Sequence, residues 1–475
     1  MRCCLYEGTG TLAKESGVSS LHAFATPRDG EATQDADELC ELVFAAVDET
    51  LGRTSERVVE IVGVALSTFW HSILGVAWRG CPKPPVFTWA DRRAADAAGE
   101  LRERLDEATV HRRTGCILHS SCLPAKLLWL SRSYPEAFEN NERWILPGEY
   151  LHLRLFREAE ASTSMASGTD LFDQNREVWH GEVLRALPVE EEQLSHILDE
   201  PARGLLVNRA RRCPALAKVP WFPAIGDSVC FNIGSGCTGW QRLALMVGTS
   251  GAIRMLWRAD SVEVPEGLWC YRCDPKRFVS GGALSDGGTL VVWLRKTLRL
   301  PEPEESEKLL AAMEPDAHGL TFLPLVAGER GPGWADRANG TIAGLSMATT
   351  PVEILRVAME AVVLRFALVA EKLDEAFPEE ADGRHVVATG GGLLGSRTWT
   401  RIMADALGRP ITASAVPEAS SRGAALHTLE KLGGPGIEDV APLGETYKTN
   451  LSHHAVYKAA LARQRELYDA VVHKG

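Results

Sequence analysis

The chain has 475 residues, 45% hydrophobic and 24% charged, with a net charge of −12 and a pI near 5.6. That length exceeds a single core and predicts two or three domains, and the acidic balance argues against non-specific binding to nucleic acid or anionic membranes. No stretch reaches the roughly 18 apolar residues of a bilayer span, and "MRCCLYEGTG" lacks the apolar core of a secretory signal, so a cytoplasmic location is expected. The eleven cysteines, the Cys270-x-x-Cys273 pair included, read as idle thiols of a reducing compartment.

In chain order, residues 34–52 have helical periodicity, "VVEIVGVAL" (58–66) reads as a buried strand, and 91–108 as a charged surface helix. Strand signals restart between 236 and 246. The clearest helix starts at Thr350, with Pro351 in its first turn and Glu353 closing a capping box; it runs to about Ala376 and stops before Pro378. "HVVATGG" (385–391) is another strand, and 453–472 a terminal helix packed on one face. Helices alternating with short apolar runs give an α/β class.

Three stretches carry chemistry. In "LALMVGTSGAIRM" (243–255) a Gly248-Thr249-Ser250-Gly251 turn separates two apolar runs. Such a turn is either a plain hairpin or a backbone cradle for phosphate. It is not a P-loop, because no Gly-Lys-Ser/Thr follows and the next segment reads as a strand. In "AIGDSVCFNIGSG" (224–236), Asp227 follows Gly226 at the end of an apolar segment. It is either a proton acceptor for a hydroxyl or a turn residue bonding its own backbone. In "VATGGGLLGS" (387–396), Gly390, Gly391 and Gly392 allow a flat adenosine group to lie against backbone, or else serve tight strand–helix packing.

These stretches resemble the FGGY family of carbohydrate kinases, gluconokinase-type branch. So do "STFWHSILGV" (67–76), "TWADRR" (88–93), "RTGCILHSSCLPAKLLWL" (113–130), "ASGTDLFD" (166–173), "FVSGGALSDGG" (278–288), "LPLVAGERGPGW" (323–334) and "EASSRGAA" (418–425), all in family order. The resemblance implies two actin-like domains of the ribonuclease H-like, hexokinase-type ATPase kind, with the active site in the cleft between them. The expected division is 1–240 for sugar, 241–432 for nucleotide, and a C-terminal extension over 433–475. It implies ATP and Mg²⁺ as cofactors and a sugar or sugar acid, gluconate first, as substrate; the metal ligands stay unassigned, and a homodimer stays open. It makes Asp227 the base, Gly248–Gly251 the phosphate turn and Gly390–Gly392 the adenosine segment. Trp70, His71, Trp89 and Asp91 become the sugar contacts; Trp70 and Trp89 also read as plain core aromatics, and His71 as a satisfied buried histidine. Lys126 and Arg254 are candidate cations for a substrate carboxylate, and both also read as ion-paired surface groups.

One departure stands out. Family members begin with a strand and a first phosphate loop, Asp-x-Gly-Thr-Ser/Thr-Ser, and Met1 falls inside the strand that follows. "EGTG" (7–10) reads as the hairpin turn after that strand. The expectation is a start placed too far downstream, with a loosened first domain and a weakened phosphate site. The competing expectations are an inactive sugar-binding or regulatory relative, and another element standing in. An actin-like assembly ATPase is disfavoured by Trp70-His71, Trp89-x-Asp91 and Gly226-Asp227.

Overall fold

The computed structural model describes residues 1–472 apart from 55–59, 78–79, 83–84, 336, 379–380, 382, 435 and 437–440. Its C-terminal half is built on one seven-stranded sheet. Strand Trp269–Asp274 lies at one edge, followed by Arg277–Leu284, Gly251–Arg258, Arg242–Val247, His385–Thr389, Ile411–Ser414 and Leu443–Tyr447. Neighbours among the first four are antiparallel, whereas Arg242–Val247, His385–Thr389 and Ile411–Ser414 run parallel. Parallel neighbours need a crossover. Helix Pro351–Ala376 precedes His385–Thr389 and packs Val362, Phe366 and Val369 into the core of this half.

That helix shows the expected start. The Glu353 amide donates to Thr350 Oγ1 at 3.3 Å, the Thr350 amide donates to Glu353 Oε2 at 2.7 Å, and the helix ends at Ala376. The terminal helix, Leu451–Val471, starts two residues earlier than expected because Asn450 Oδ1 caps the Ser452 amide at 3.0 Å. It lays Tyr457, Ala460 and Leu461 into the same core.

The N-terminal half has no comparable sheet among the described residues. Its pairings are short: Arg2–Cys3 with Val18–Ser19, Thr33–Gln34 with Val86–Phe87, Ser67–Thr68 with Ile225–Gly226, and Leu74–Ala77 between Cys81–Pro82 and Arg143–Ile145. Helix Ala36–Thr54 matches the periodicity of 34–52. The 91–108 helix starts only at Ala95, since Asp91 and Arg93 are drawn into the loop before it, and extended backbone at Leu105 and Asp106 breaks it into Ala95–Arg104 and Glu107–Thr114. "EGTG" is a turn: the Gly10 amide donates to Glu7 O at 2.8 Å, Gly10 has φ +75°, and Tyr6 bridges Leu12.

The expected strand at 58–66 is corrected. Residues 58–59 lie outside the described residues; 60–66 form no strand, although Val64 bridges Trp221 and Leu66 O accepts the Ile225 amide at 3.1 Å on one edge. Ile61, Val64 and Leu66 are half-buried and Val62 is 54% exposed. The reason lies on the other side. Residues 2–5 and 60–66 each pair away from the other, and between them is an apolar hollow of about 770 Å³ lined also by Leu39, Leu151 and Leu429. An apolar run with no partner on one edge has no ladder to fix it as a strand.

The halves are joined by two crossing helices, Asp227–Gly234 and Ala419–Lys431. A Cβ on Gly234 would lie 1.7 Å from Ala419 O, and one on Gly423 the same distance from Cys230 O. Only glycine permits this approach, so the helix that begins with Asp227 is fixed against the second half.

Candidate active site

Asp227 opens that helix. Its side chain is exposed on the cleft floor, with Gly226 as N-cap, yet protein crowds it closely. Burial pushes its pKa up; the Arg254 guanidinium and the Ser228 amide at the helix N-terminus pull it back. Gly226 is tied to Trp70: a Cβ there would sit 2.2 Å from the indole ring. Trp70 is buried, donates Nε1–H to Ser164 O at 3.0 Å and packs edge-on against Tyr271. It is therefore a wall that fixes Gly226, and its N–H is already engaged.

His71 turns out of this wall with φ +55°, and its Nε2 lies 3.2 Å from Tyr271 Oη. Burial first, then the Lys126 and Arg330 charges, lower its pKa to about 3, so the ring is neutral and available for hydrogen bonding to a hydroxyl. Trp89 is half-buried and faces the cleft, with the Arg330 guanidinium 5.0 Å above its ring. Asp91 is elsewhere. Its carboxylate accepts from the Ala32 amide at 3.1 Å and from Arg93 Nη2 at 2.6 Å, and it is 2% exposed. It holds a loop, and its oxygens are not offered to a ligand.

Of the two cations singled out from the sequence, neither is a surface group. Lys126 is buried, and its ammonium donates to His71 O, Thr88 O and Ser121 O at 2.6, 2.7 and 2.7 Å. All three donors are thereby engaged, and burial lowers its pKa to about 8. Arg254 is buried beside Asp227, donates Nη1–H to Ser228 O at 3.2 Å and has no partner on Nε.

Arg330 is the residue that sequence reasoning missed. Its loop is fixed by Glu329, which accepts from the Gly333 amide at 3.2 Å and from Tyr468 Oη at 2.5 Å and pairs with Arg365. Arg330 donates Nη2–H to Leu284 O at 2.9 Å, while Nε is buried without a partner. Burial lowers its pKa to about 10, and Asp227, Tyr271 and Asp286 pull it back up. The Gly-flanked "GERG" in a loop was the available signal.

The Gly248–Gly251 turn is the hairpin between strands Arg242–Val247 and Gly251–Arg258. Thr249 is exposed and Gly248 and Ser250 are half-buried, whereas Gly251 is in the core, where a Cβ would meet Phe366 at 2.5 Å. Gly287 and Gly288 close against it: added Cβ atoms would lie 2.7 Å from Ser250 O and 2.6 Å from Gly248 O. Gly390, φ +94°, and Gly392 also press on this turn, each within 3 Å of Val247 O; Gly391 alone has open space. The structure thus brings 248–250, 287–288 and 391 together, with Asp286 next to them.

The residues from 1 to 234 match the family model for the N-terminal domain of the FGGY family of carbohydrate kinases, and 243–429 match that for its C-terminal domain. The chain belongs to the FGGY family of carbohydrate kinases. It is a phosphotransferase with an alcohol group as acceptor. It is 26% identical to a gluconokinase of Bacillus subtilis over 94% of this chain and 89% of that one. It is 28% identical to a glycerol kinase of Thermus brockianus over 87% and 85%. The structure superposes on a gluconate kinase from Lactobacillus acidophilus with a TM-score of 0.89 and 25% identity, covering 99% of this chain and 96% of that one; a ligand-bound xylulose kinase from the same organism gives the same values. Among the described residues, no helix of this family member is long and apolar enough to cross a membrane.

If Asp227 is the base, its surroundings set the pH dependence. A base must be ionised to accept a proton, so a raised pKa moves loss of the active form to higher pH. The acid limb of kcat/KM is expected above the ordinary carboxylate value of 3.8. Arg254→Met removes a charge that favours the ionised form, so its acid limb should lie higher still. A pH–rate profile of both proteins checks this, and coincident acid limbs would separate Asp227 from the rate.

Proposed function

We propose that the chain transfers the γ-phosphoryl group of ATP to the terminal hydroxyl of an open-chain sugar acid, with gluconate as the first candidate, in the cytoplasm. Arg330 carries this reading. It is a desolvated guanidinium with an unpartnered Nε, held over Trp89 and near Asp227. Such a group favours an anionic partner that can take two hydrogen bonds. Its place beside the base and the aromatic wall suits a substrate carboxylate. The gluconokinases among the relatives support the same substrate.

Asp227 takes the hydroxyl proton, and its helix position keeps the carboxylate aimed into the cleft. His71 and Trp89 bind the polyol chain. The amides of Thr249 and Ser250, with Gly288 packed beneath the turn, cradle phosphate oxygens, while the Gly248 amide is spent on Ser250 O at 2.9 Å, and Gly391 leaves room for the adenosine. Bound ATP supplies the phosphoryl group, and Mg²⁺ neutralises its charge. Hard cations take carboxylate and phosphate oxygens; Asp286 would suit that role, its Oδ2 accepting the Ala327 amide at 2.9 Å.

The test is a panel of gluconate, xylulose, ribulose, glycerol and fuculose, run on wild type and Arg330→Met. Gluconate should rank first by kcat/KM. The variant should lose about 10-fold or more on gluconate, as for a hydrogen bond to a charged group worth about 1.5–3 kcal/mol, and little on neutral sugars. Preference for a neutral ketose would overturn the sugar-acid assignment. A second reading, a sugar-binding relative with impaired turnover, is favoured by the hollow in the N-terminal half. Binding of gluconate without phosphorylation of any panel member would support it.

A further inference from the structure

Three clusters of metal-ligating side chains occur among the described residues, and two are closed by guanidinium groups. In Cys273–Asp274–His427, Asp274 Oδ2 is held by Arg277 at 2.5 Å. In Asp316–His318–Glu360, Arg463 takes both Asp316 oxygens at 2.5 and 2.6 Å, and Arg356 takes Glu360 Oε1 at 2.5 Å. The third, His71–Cys122–Asp170, includes the candidate sugar contact His71 and has no such cation on its ligand atoms.

Two of its three residues present ligand atoms without a partner, while the Cys122 thiol donates to Ile117 O at 3.3 Å. Asp170 is 1% exposed, and neither of its oxygens receives a hydrogen bond of ordinary geometry; only the thiols of Cys116 and Cys122 stand against them. His71 Nδ1 is also buried and unpartnered, 3.9 Å from Asp170 Oδ2. Buried polar atoms without partners are costly and call for an explanation. Both residues are moreover held at positive φ, +55° for His71 and +68° for Asp170. Such backbone strain clusters at ligand sites.

We propose that His71 Nδ1, Cys122 Sγ and a carboxylate oxygen of Asp170 form a site for a borderline-soft divalent cation, Zn²⁺. The three ligand atoms lie within 4.8 Å of one another. Tetrahedral zinc, with bonds of about 2.0–2.3 Å, sets them about 3.3–3.6 Å apart, so an inward shift of about an ångström closes the site. A thiolate and a carboxylate balance the dication, and the nearest cation, Lys126, is held on its three carbonyls. Binding releases the Cys122 thiol proton to solvent. The fourth position opens past half-buried His71 towards the sugar pocket. Zinc there ties down the His71 ring and so opposes sugar binding. This inhibition rests on His71 as a sugar contact, whereas the metal binding does not, so the two are read separately.

Metal binding is measured first. Dialysed full-length protein is titrated with Zn²⁺ against a chromophoric chelator, and Co²⁺ is added for its thiolate charge-transfer and tetrahedral d–d bands. One equivalent should bind, with affinity falling at least 10-fold in Cys122→Ser and in Asp170→Gly, and unchanged in Cys273→Ser. Glycine adopts φ +68° without strain, so Asp170→Gly should fold even if a bulkier replacement does not; thermal melts verify this. No bound equivalent in the wild type, equal affinity in the two site variants, or a Co²⁺ spectrum without the thiolate band would overturn the site. Inhibition is then read as a Zn²⁺-dependent rise in sugar KM at constant kcat, absent in Cys122→Ser. Metal bound with no change in sugar KM would retain the site and reject its opposition to sugar.

Discussion

Asp227→Asn should leave ATP and sugar bound while turnover falls by about 10²–10⁴-fold, the range for losing a general base. The amide keeps the size of the side chain and can still stand at the first turn of its helix, so packing is preserved. It cannot take the hydroxyl proton. It also removes the negative charge that faces Arg254 and Arg330, which leaves two desolvated cations with less compensation and should tighten binding of anionic ligands. Isothermal titration with ATP and with gluconate, beside steady-state rates, separates these effects. Near-normal turnover in the Asn protein would remove Asp227 from the chemistry.

Gly226→Ala is expected to cost about as much without touching a reacting group. The added methyl would lie 2.2 Å from Trp70 Cε2 and Cζ2. Trp70 is hemmed in, because Gly168 presses on the same indole, where a Cβ would sit 2.4 Å from Cδ1. The strain therefore falls on the backbone before Asp227. A displacement of about 1 Å at a catalytic group costs about 10²-fold. The loss should appear in kcat, with ATP affinity retained. A second change, Trp70→Leu, opens space for the methyl and should recover part of the rate. If Gly226→Ala alone is fully active, the link from indole to base is wrong.

The sequence carried the local devices well because each is written in neighbouring residues. Thr350-x-x-Glu353 needs only a helical turn to close, and Gly248-Thr249-Ser250-Gly251 needs only two strands to join. Roles that depend on distant partners were not legible. Lys126 reads as a surface cation until three carbonyls, from residues 71, 88 and 121, are seen to converge on it. Asp91 reads as a sugar contact, and its bonds to Arg93 and the Ala32 amide come from residues that no local pattern ties to that role. Arg330 gains its place through Glu329, which is bonded by a tyrosine 139 positions later. The run at 58–66 has the composition of a strand, but composition cannot say whether a partner stands on its outer edge.

The hollow between residues 2–5 and 60–66 has a bearing on the life of the protein in a cell. Two chain segments that present unpaired edges across an apolar space are what holdase chaperones and proteases recognise. Abundance would then be governed by how often the N-terminal half opens, while the seven-stranded half, sealed by the helix at 351–376 and the terminal helix, remains closed. A substitution that seals the hollow would raise the amount of enzyme without changing what each molecule does.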